Sequence, residues 1–314
     1  MHNKFPLVSV VIPTYNHATY LKQAVDSVLE QDYPNIELIV LDDGSTDGTR
    51  AVLEGYGNRF YWESQKNMGQ SSTLNRGWSM AKGEILAYLS ADDLLLPRAI
   101  TRSVECLLTH PDAVLSYCDF DLIDPESRVV RRVTAPEYNY MEMVTKFICA
   151  PSAGAFFWRA PFLKTGGWNT KIHRFPDYDC WLRLGLQGQF VRIPESLAAF
   201  RVHDGSQSFS ETPVDRAEEA LRVISGFYDL PDLPAEVLAV KNQAMGNAHL
   251  LVAQLHLRAG RYLMAFREMA SAARLSPGSL LSVRFLRMFV NGLFNRYVHK
   301  ILWRIRSRRV SRYN

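Results

Sequence analysis

The sequence predicts an α/β chain: a mixed sheet with helices on both faces, followed by a C-terminal helical region. Three observations carry this. Short apolar runs alternate with helix-period stretches between residues 8 and 110, the pattern of a parallel sheet crossed by helices. Strand-rich segments follow between residues 114 and 193 and make the sheet a mixed one. From Pro213 onward the apolar period is helical.

Taken in order, Val8–Ile12 reads as the first strand, ended by Pro13. A helix over Ala18–Gln31 follows, because Leu21, Ala24, Val25, Val28 and Leu29 line one face. Ile36–Leu41 is the second strand. Ser45 is placed to cap a helix through Tyr56. Phe60–Glu63 is the third strand, Gln70–Ala81 a helix, and Ile85–Leu89 the fourth strand. Pro97 suits the first turn of a helix running to His110. Val114–Phe120, Val129–Val133 and Ala153–Trp158 read as strands, Tyr178–Leu186 as a helix, and Phe190–Ile193 as a late strand.

A turn-rich polar stretch, GSQSFSETP, places a boundary between Ser206 and Pro213. Beyond it, Val237–Ala259 and Tyr262–Leu275 form two helices around Gly260. The segment LHLRAGRYLMAFREMASAARLSP resembles one tetratricopeptide repeat, but no second copy follows. A helical hairpin packed on the body is the reading adopted. The expected divisions are residues 1–208, a helical hairpin region at 209–276, and a basic amphipathic C-terminal helix at 277–314.

Composition sets the class. Of 314 residues, 47% are hydrophobic and 22% charged, which is ordinary for a globular protein. No apolar run is long enough to cross a membrane. The apolar stretch Leu7–Ile12 is too short for a signal peptide. Cys106, Cys118, Cys149 and Cys180 lack paired spacing and read as reduced thiols of a cytoplasmic protein. The net charge of +4 conceals an asymmetry. Residues 277–314 hold nine Lys or Arg and no Asp or Glu, so the other 276 residues carry a formal −5. A nucleic-acid partner is not expected from an acidic body without a binding motif.

Chemistry concentrates at predicted strand ends, where open α/β sheets bind ligands. Two Asp-Asp pairs lie there, Asp42–Asp43 and Asp92–Asp93. Such carboxylates suit a hard cation and a polyphosphate. Asp93 is the expected direct ligand of Mg2+ or Mn2+, with Asp92 nearer a ribose. Thr14, Tyr15 and Asn16 end the first strand, where Tyr15 can stack on a base and Asp43 can accept from a base or ribose. The segment QKNMGQSSTLNRG leads into a helix N-terminus that favours anions, with Lys66 and Arg76 adding positive charge. No GxxxxGK[ST] or GxGxxG occurs after a strand, so neither a P-loop nor a dinucleotide cofactor is expected.

The order SVVIPTYN, LDDGSTDGT, NMGQSSTLNRG, GEILAYLSADD and PDYDCWLRL resembles family 2 glycosyltransferases of the GT-A fold, over residues 5–205. The resemblance implies inverting, metal-dependent transfer of a sugar from a nucleotide diphosphate to a glycan or lipid-linked acceptor, in cell-surface polysaccharide or glycolipid synthesis. It implies donor contacts at Pro13, Thr14, Tyr15, Asp42, Asp43, Lys66, Asn75 and Asp92. It places a general base at Asp177, although Pro176 stands where the family carries Glu. It puts Gly167, Trp168, Asp179 and Trp181 on the acceptor side. FRVHDGSQS adds Arg201 and His203 near the diphosphate, with His203 a further candidate metal ligand.

In the tail, Leu286, Val290, Leu293, Tyr297, Ile301 and Ile305 recur at helical spacing beside Arg296, Lys300 and Arg304. This resembles an interfacial helix on anionic lipid. Residues 280–312 are therefore expected to touch the inner face of the membrane peripherally. Two other functions fit parts of this sequence. A sugar-phosphate nucleotidyltransferase would open with a glycine-rich loop, which PTYNHATY is not. A degenerate transferase serving as a binding module would not need Asp43, Asp93 and Asp177.

Overall fold

The computed structural model describes residues 5–151, 153–203, 212–280 and 285–286. Its sheet is mixed, in the order β3-β2-β1-β4-β8-β6-β9-β5, with β7 paired to β6 off that path. The strands are β1 (Val8–Thr14), β2 (Ile36–Asp42), β3 (Tyr61–Ser64), β4 (Ile85–Tyr88), β5 (Leu94–Leu95), β6 (Ala113–Ile123), β7 (Val129–Val133), β8 (Phe156–Trp158) and β9 (Gln189–Arg201). β1 pairs in parallel with β2 and β4, and β2 with β3. β8 runs antiparallel to both β4 and β6. All seven residues of β1 are buried, as expected of a central strand covered on both faces.

Helices α1 (Ala18–Leu29), α2 (Thr49–Glu54), α3 (Gln70–Met80) and α4 (Ala99–Thr109) cross between these strands. α1 buries Leu21, Ala24, Val25 and Val28, the face its periodicity predicts. α3 lies close on β1 because Gly77 has no side chain; a Cβ there would stand 2.4 Å from Val11 Cγ1. Three helix starts differ from expectation. Ser45 does not cap α2, since its hydroxyl accepts the Asn16 N–H at 2.8 Å, and Asp47 caps Thr49 instead. α4 begins after Pro97, because Arg98 adopts a left-handed φ of 68°. α7 (Pro176–Leu184) starts two residues early, with Pro176 in its first turn. Two short helices have no clear sequence signal, α5 (Tyr140–Lys146) and α6 (Arg159–Lys164).

Described residues among Met1–Tyr140, Cys149–Lys171 and Pro176–Ser208 form one compact unit. Those among Met141–Ile148, Ile172–Phe175 and Phe209–Asn314 form a second. The second unit contains α8 (Val214–Ala217), α9 (Glu219–Tyr228), α10 (Ala235–Ala239), α11 (Lys241–Arg258), α12 (Tyr262–Leu275) and α13 (Pro277–Leu280). It gathers in two segments, residues 141–148 and 172–175, that fall within the expected 1–208 division. Asn247 holds the Thr145 carbonyl at 2.7 Å, and buried Glu219 accepts the N–H groups of His173 and Arg174 at 2.9 and 2.6 Å. α11 and α12 form a hairpin around Ala253, Leu257 and Ala265. Most of the expected boundary stretch, Ser206 to Pro213, lies outside the described residues, as does the basic tail beyond α13 apart from Phe285 and Leu286.

Candidate active site

The ends of β1 and β2 are tied together before any side chain faces a ligand. The Asp43 N–H donates to the Thr14 carbonyl at 2.8 Å, and the Thr46 N–H donates to Asn16 Oδ1 at 2.8 Å. Pro13 lies in this tie, paired with Leu41. Thr14 is buried, and its hydroxyl has no partner among the described residues. Tyr15 is 47% exposed and free to lie against a base.

The first carboxylate pair is turned into the protein. Asp42 accepts the Ser45 N–H at 3.0 Å and the Ser64 hydroxyl at 2.6 Å. Asp43, 3% exposed, accepts from Gln65 Nε2 at 2.9 Å, the Met68 N–H at 2.9 Å and the Gly69 N–H at 2.8 Å. A carboxylate offers about four acceptor positions, so little of Asp43 remains for a ligand. These bonds hold the turn that leads into α3. Lys66 is exposed on that turn. Arg76 does not add a free cation there: it pairs with both Glu63 oxygens at 2.7 and 2.9 Å and with Gln65 at 2.6 Å.

The second pair sits in the link between β4 and β5, against the end of β9. Burial, and then the charge of Asp92, push the Asp93 carboxyl well above the usual carboxylate range. Its Oδ1 accepts the Arg201 N–H at 2.8 Å. The Arg201 side chain does not reach toward a diphosphate. It is fully buried and donates to the carbonyls of Asp92 (2.8 Å), Asp124 (3.0 Å) and Pro125 (3.1 Å), to Ser127 Oγ (2.9 Å) and to Gln23 (2.7 Å). Arg201 thus pins the loop carrying Asp92 and Asp93. His203 Nε2 lies 3.0 Å from Asp92 Oδ2, with the Tyr20 ring 5.1 Å away.

This donor set fits a divalent cation held partly by its ligand. Two adjacent carboxylates and an imidazole supply oxygen and nitrogen, and the raised Asp93 carboxyl shows negative charge crowded in a dry place. No group of three His, Cys, Asp or Glu among the described residues is arranged to hold a metal alone. Mg2+ and Mn2+ are commonly held by one or two carboxylates completed by phosphate oxygens.

Asp177 stands in the first turn of α7, where the helix N-terminus favours negative charge. Burial nevertheless raises its carboxyl, against the Tyr178 N–H that it accepts at 2.8 Å. Sequence reasoning missed a tyrosine that feels both this carboxylate and Asp93. Tyr88 ends β4, and burial, then the charges of Asp177, Cys149 and Asp93, push its phenol well above the ordinary value. Asp177 and Asp93 are 84 positions apart in sequence, yet the charge of each adds to this rise. A single tyrosine in the otherwise aliphatic run ILAYL, just before the Asp pair, was the available signal.

The expected acceptor-side residues build the wall behind Asp177. Gly167 has φ +79°, which glycine adopts freely. Trp168 packs on Trp78 and Tyr88 at 5.7 and 5.1 Å. Trp181 is 1% exposed against Phe157 and supports α7 from within the core rather than facing an acceptor. Asp179 is engaged by Arg183 at 2.5 Å, and Arg183 also holds the Gly167 carbonyl at 2.8 Å. Asn75 belongs to this wall. Its amide donates to the Trp168 carbonyl at 2.7 Å and accepts the Trp168 N–H at 2.9 Å, a two-point clasp between α3 and the Gly167–Trp168 turn.

Comparison with known proteins gives the family and the fold. Residues 9–175 match glycosyl transferase family 2. An uncharacterised glycosyltransferase of Rickettsia typhi is 33% identical over 231 residues, 71% of each chain. The hyaluronan synthase of Pasteurella multocida is 35% identical over 195 residues, 61% of this chain and 20% of that protein. The fold is that of Staphylococcus aureus TarS residues 1–349 with UDP-GlcNAc, at TM-score 0.62 and 18% identity over 85% of this chain and 89% of that one. The mannosyltransferase PcManGT of Pyrobaculum calidifontis, with GDP-Man and Mn2+, gives TM-score 0.59 and 18% identity over 93% and 88%.

Proposed function

This glycosyltransferase of GT-A fold belongs to glycosyl transferase family 2, and we propose that it transfers a sugar from a nucleoside diphosphate donor with inversion at the anomeric carbon. The observation that carries this reading is the Asp92–Asp93 pair, with Asp93 buried and His203 Nε2 3.0 Å from Asp92 Oδ2, in a chain of this family. It supports a carboxylate site for a diphosphate and its cation, with Asp177, its carboxyl raised by burial, as a separate proton acceptor. Nucleotide sugars bound by TarS and PcManGT support the donor class.

In this reading Tyr15 lies against the base, and the turn shaped by Asp43 carries Lys66 toward the donor. Asp92 faces the ribose. Asp93, with His203 as a further ligand, would hold Mg2+ or Mn2+, which when bound neutralises charge on the leaving diphosphate. Asp177 takes the proton of the acceptor hydroxyl. The acceptor oxygen bonds to the anomeric carbon from the face opposite the diphosphate. The bond to the diphosphate breaks, and the nucleoside diphosphate leaves with the electron pair. A carboxyl raised by burial is a stronger base than an exposed one once ionised. Gly167 and Trp168 bound the acceptor side, with Asp179 and Trp181 supporting them. The acceptor is a glycan or lipid-linked hydroxyl, in cell-surface polysaccharide or glycolipid synthesis. The proposed divisions remain 1–208, 209–276 and 277–314, with residues 280–312 touching the inner face of the membrane. No helix among the described residues is long and apolar enough to cross one.

The test is turnover of a nucleotide-sugar panel with and without Mn2+. Release of nucleoside diphosphate that depends on Mn2+ and is lost in Asp177→Asn is the expected result. Pyrophosphate exchange, silence across the panel, or full activity of Asp177→Asn would overturn the reading.

A further inference from the structure

The outer face of α12 has a composition that does not suit contact with water alone. Leu263 is 81% exposed, Phe266 54% and Tyr262 46%. The opposite face of the same helix is closed: Ala265 and Ala272 are buried, and Glu268 turns to His249 at 2.6 Å. Residues 263, 266, 267, 270 and 274 follow one another at spacings of three and four, so they form a single stripe. That stripe reads Leu, Phe, Arg, Ala, Arg. Neither Arg267 nor Arg274 meets a carboxylate among the described residues, and no acidic side chain shares the stripe.

We propose that this face of α12 docks on a lipid bilayer carrying anionic headgroups. Exposed large apolar groups flanked by arginines match a helix lying in the headgroup layer, with its apolar residues in the acyl boundary and its cations among the phosphates. Charge complementarity selects this occupant. The chain continues from α12 into residues 281–314, which add nine Lys or Arg and no acid. A second copy is a poor match, since a two-fold pairing of the stripe would set Arg267 and Arg274 against like charges. The proposal does not depend on the transferase reading, and vesicle binding can succeed or fail whatever the activity. It differs from contact through the tail alone by placing the apolar anchor on α12.

The test uses the full chain with vesicles of phosphatidylcholine, with and without phosphatidylglycerol, followed by sedimentation and light scattering. The wild-type protein is expected to bind the anionic vesicles, and less so as salt rises. Leu263→Gln with Phe266→Gln should cut partitioning about tenfold or more. Arg267→Gln with Arg274→Gln should remove about tenfold of the phosphatidylglycerol-dependent part and leave the rest. All four side chains point outward, so thermal unfolding of both variants should match the parent. The proposal is overturned if the Leu263/Phe266 variant sediments like the wild type, if the wild type binds neither vesicle, or if it is a dimer that this variant dissociates.

Discussion

Asp42–Asp43 and Asp92–Asp93 look alike in sequence, each placed after an apolar strand, yet the structure treats them oppositely. The first pair accepts five hydrogen bonds from protein donors, three of them backbone N–H groups. The second has few protein donors: Asp93 accepts one backbone N–H, and burial with its neighbour's charge raises its carboxyl. A satisfied carboxylate builds a loop; a crowded one is the better candidate for a cation. The difference lies in the chain downstream of each pair. Ser45 and the Gln65–Gly69 turn bring donors to the first, whereas Leu94–Leu95 and β9 bring the second a wall.

The comparison can be broken most forcefully at Asp93. Asp93→Asn should lower turnover about 10³-fold or more with thermal unfolding no worse than the parent's. A destabilised but active variant would place Asp93 among the loop builders. Asp177→Asn comes next, with kcat expected to fall about 10²–10⁴-fold. Because the base must be ionised, kcat/KM should rise with pH through a value above the ordinary carboxylate near about 3.9. The stability sign is the reverse. A carboxyl raised in the fold contributes stability below its unfolded pKa, and this is lost as pH rises through the folded pKa. At neutral pH Asp177→Asn should therefore melt at or above the parent temperature.

Asp43→Asn should show the opposite phenotype, with unfolding free energy falling by about 2–3 kcal/mol as an amide replaces the acceptor of two backbone N–H groups. Unchanged melting together with lost donor affinity would make Asp43 a ligand contact first, and would erase the contrast between the pairs. The smallest effect is expected at the clasp. Asn75→Ala strips partners from the Trp168 N–H and carbonyl, at about 1–3 kcal/mol, and denaturant melts would read it.

Much of this was legible in the sequence. The central strands and α1 come from periodicity, and the site loops from their position at strand ends. β9 reads as Phe190–Ile193 because Pro194 looks like a stop, yet the strand runs to Arg201. The register against β6 jumps from Cys118–Ile193 to Asp119–Ser196, so Pro194 and Glu195 sit in a bulge that needs no ladder N–H from proline. β5 has two residues, too few for any period. Arg201 and Asn75 are recognisable as site residues, but the scaffold bonds they make are not, because residue type does not reveal which acceptors a fold will supply. The family match ends at residue 175, two positions before Asp177, so the proposed base rests on the motif resemblance and on a carboxyl raised by burial at the start of α7.

The long reach of Arg201 has a consequence for how the enzyme comes into being. Its bonds join positions 108 and 178 residues apart, to Asp93 and Gln23. Contacts so distant in sequence close late, after the chain has lost most of its freedom. During synthesis the Asp92–Asp93 loop has no anchor until β9 has been made. The polypeptide is thus kept from presenting a fixed Asp92–Asp93 pair before the sheet is complete. Pulse-labelled hydrogen exchange on refolding would show this as late protection of the Arg201 amide relative to β1 and β2; simultaneous protection would refute it.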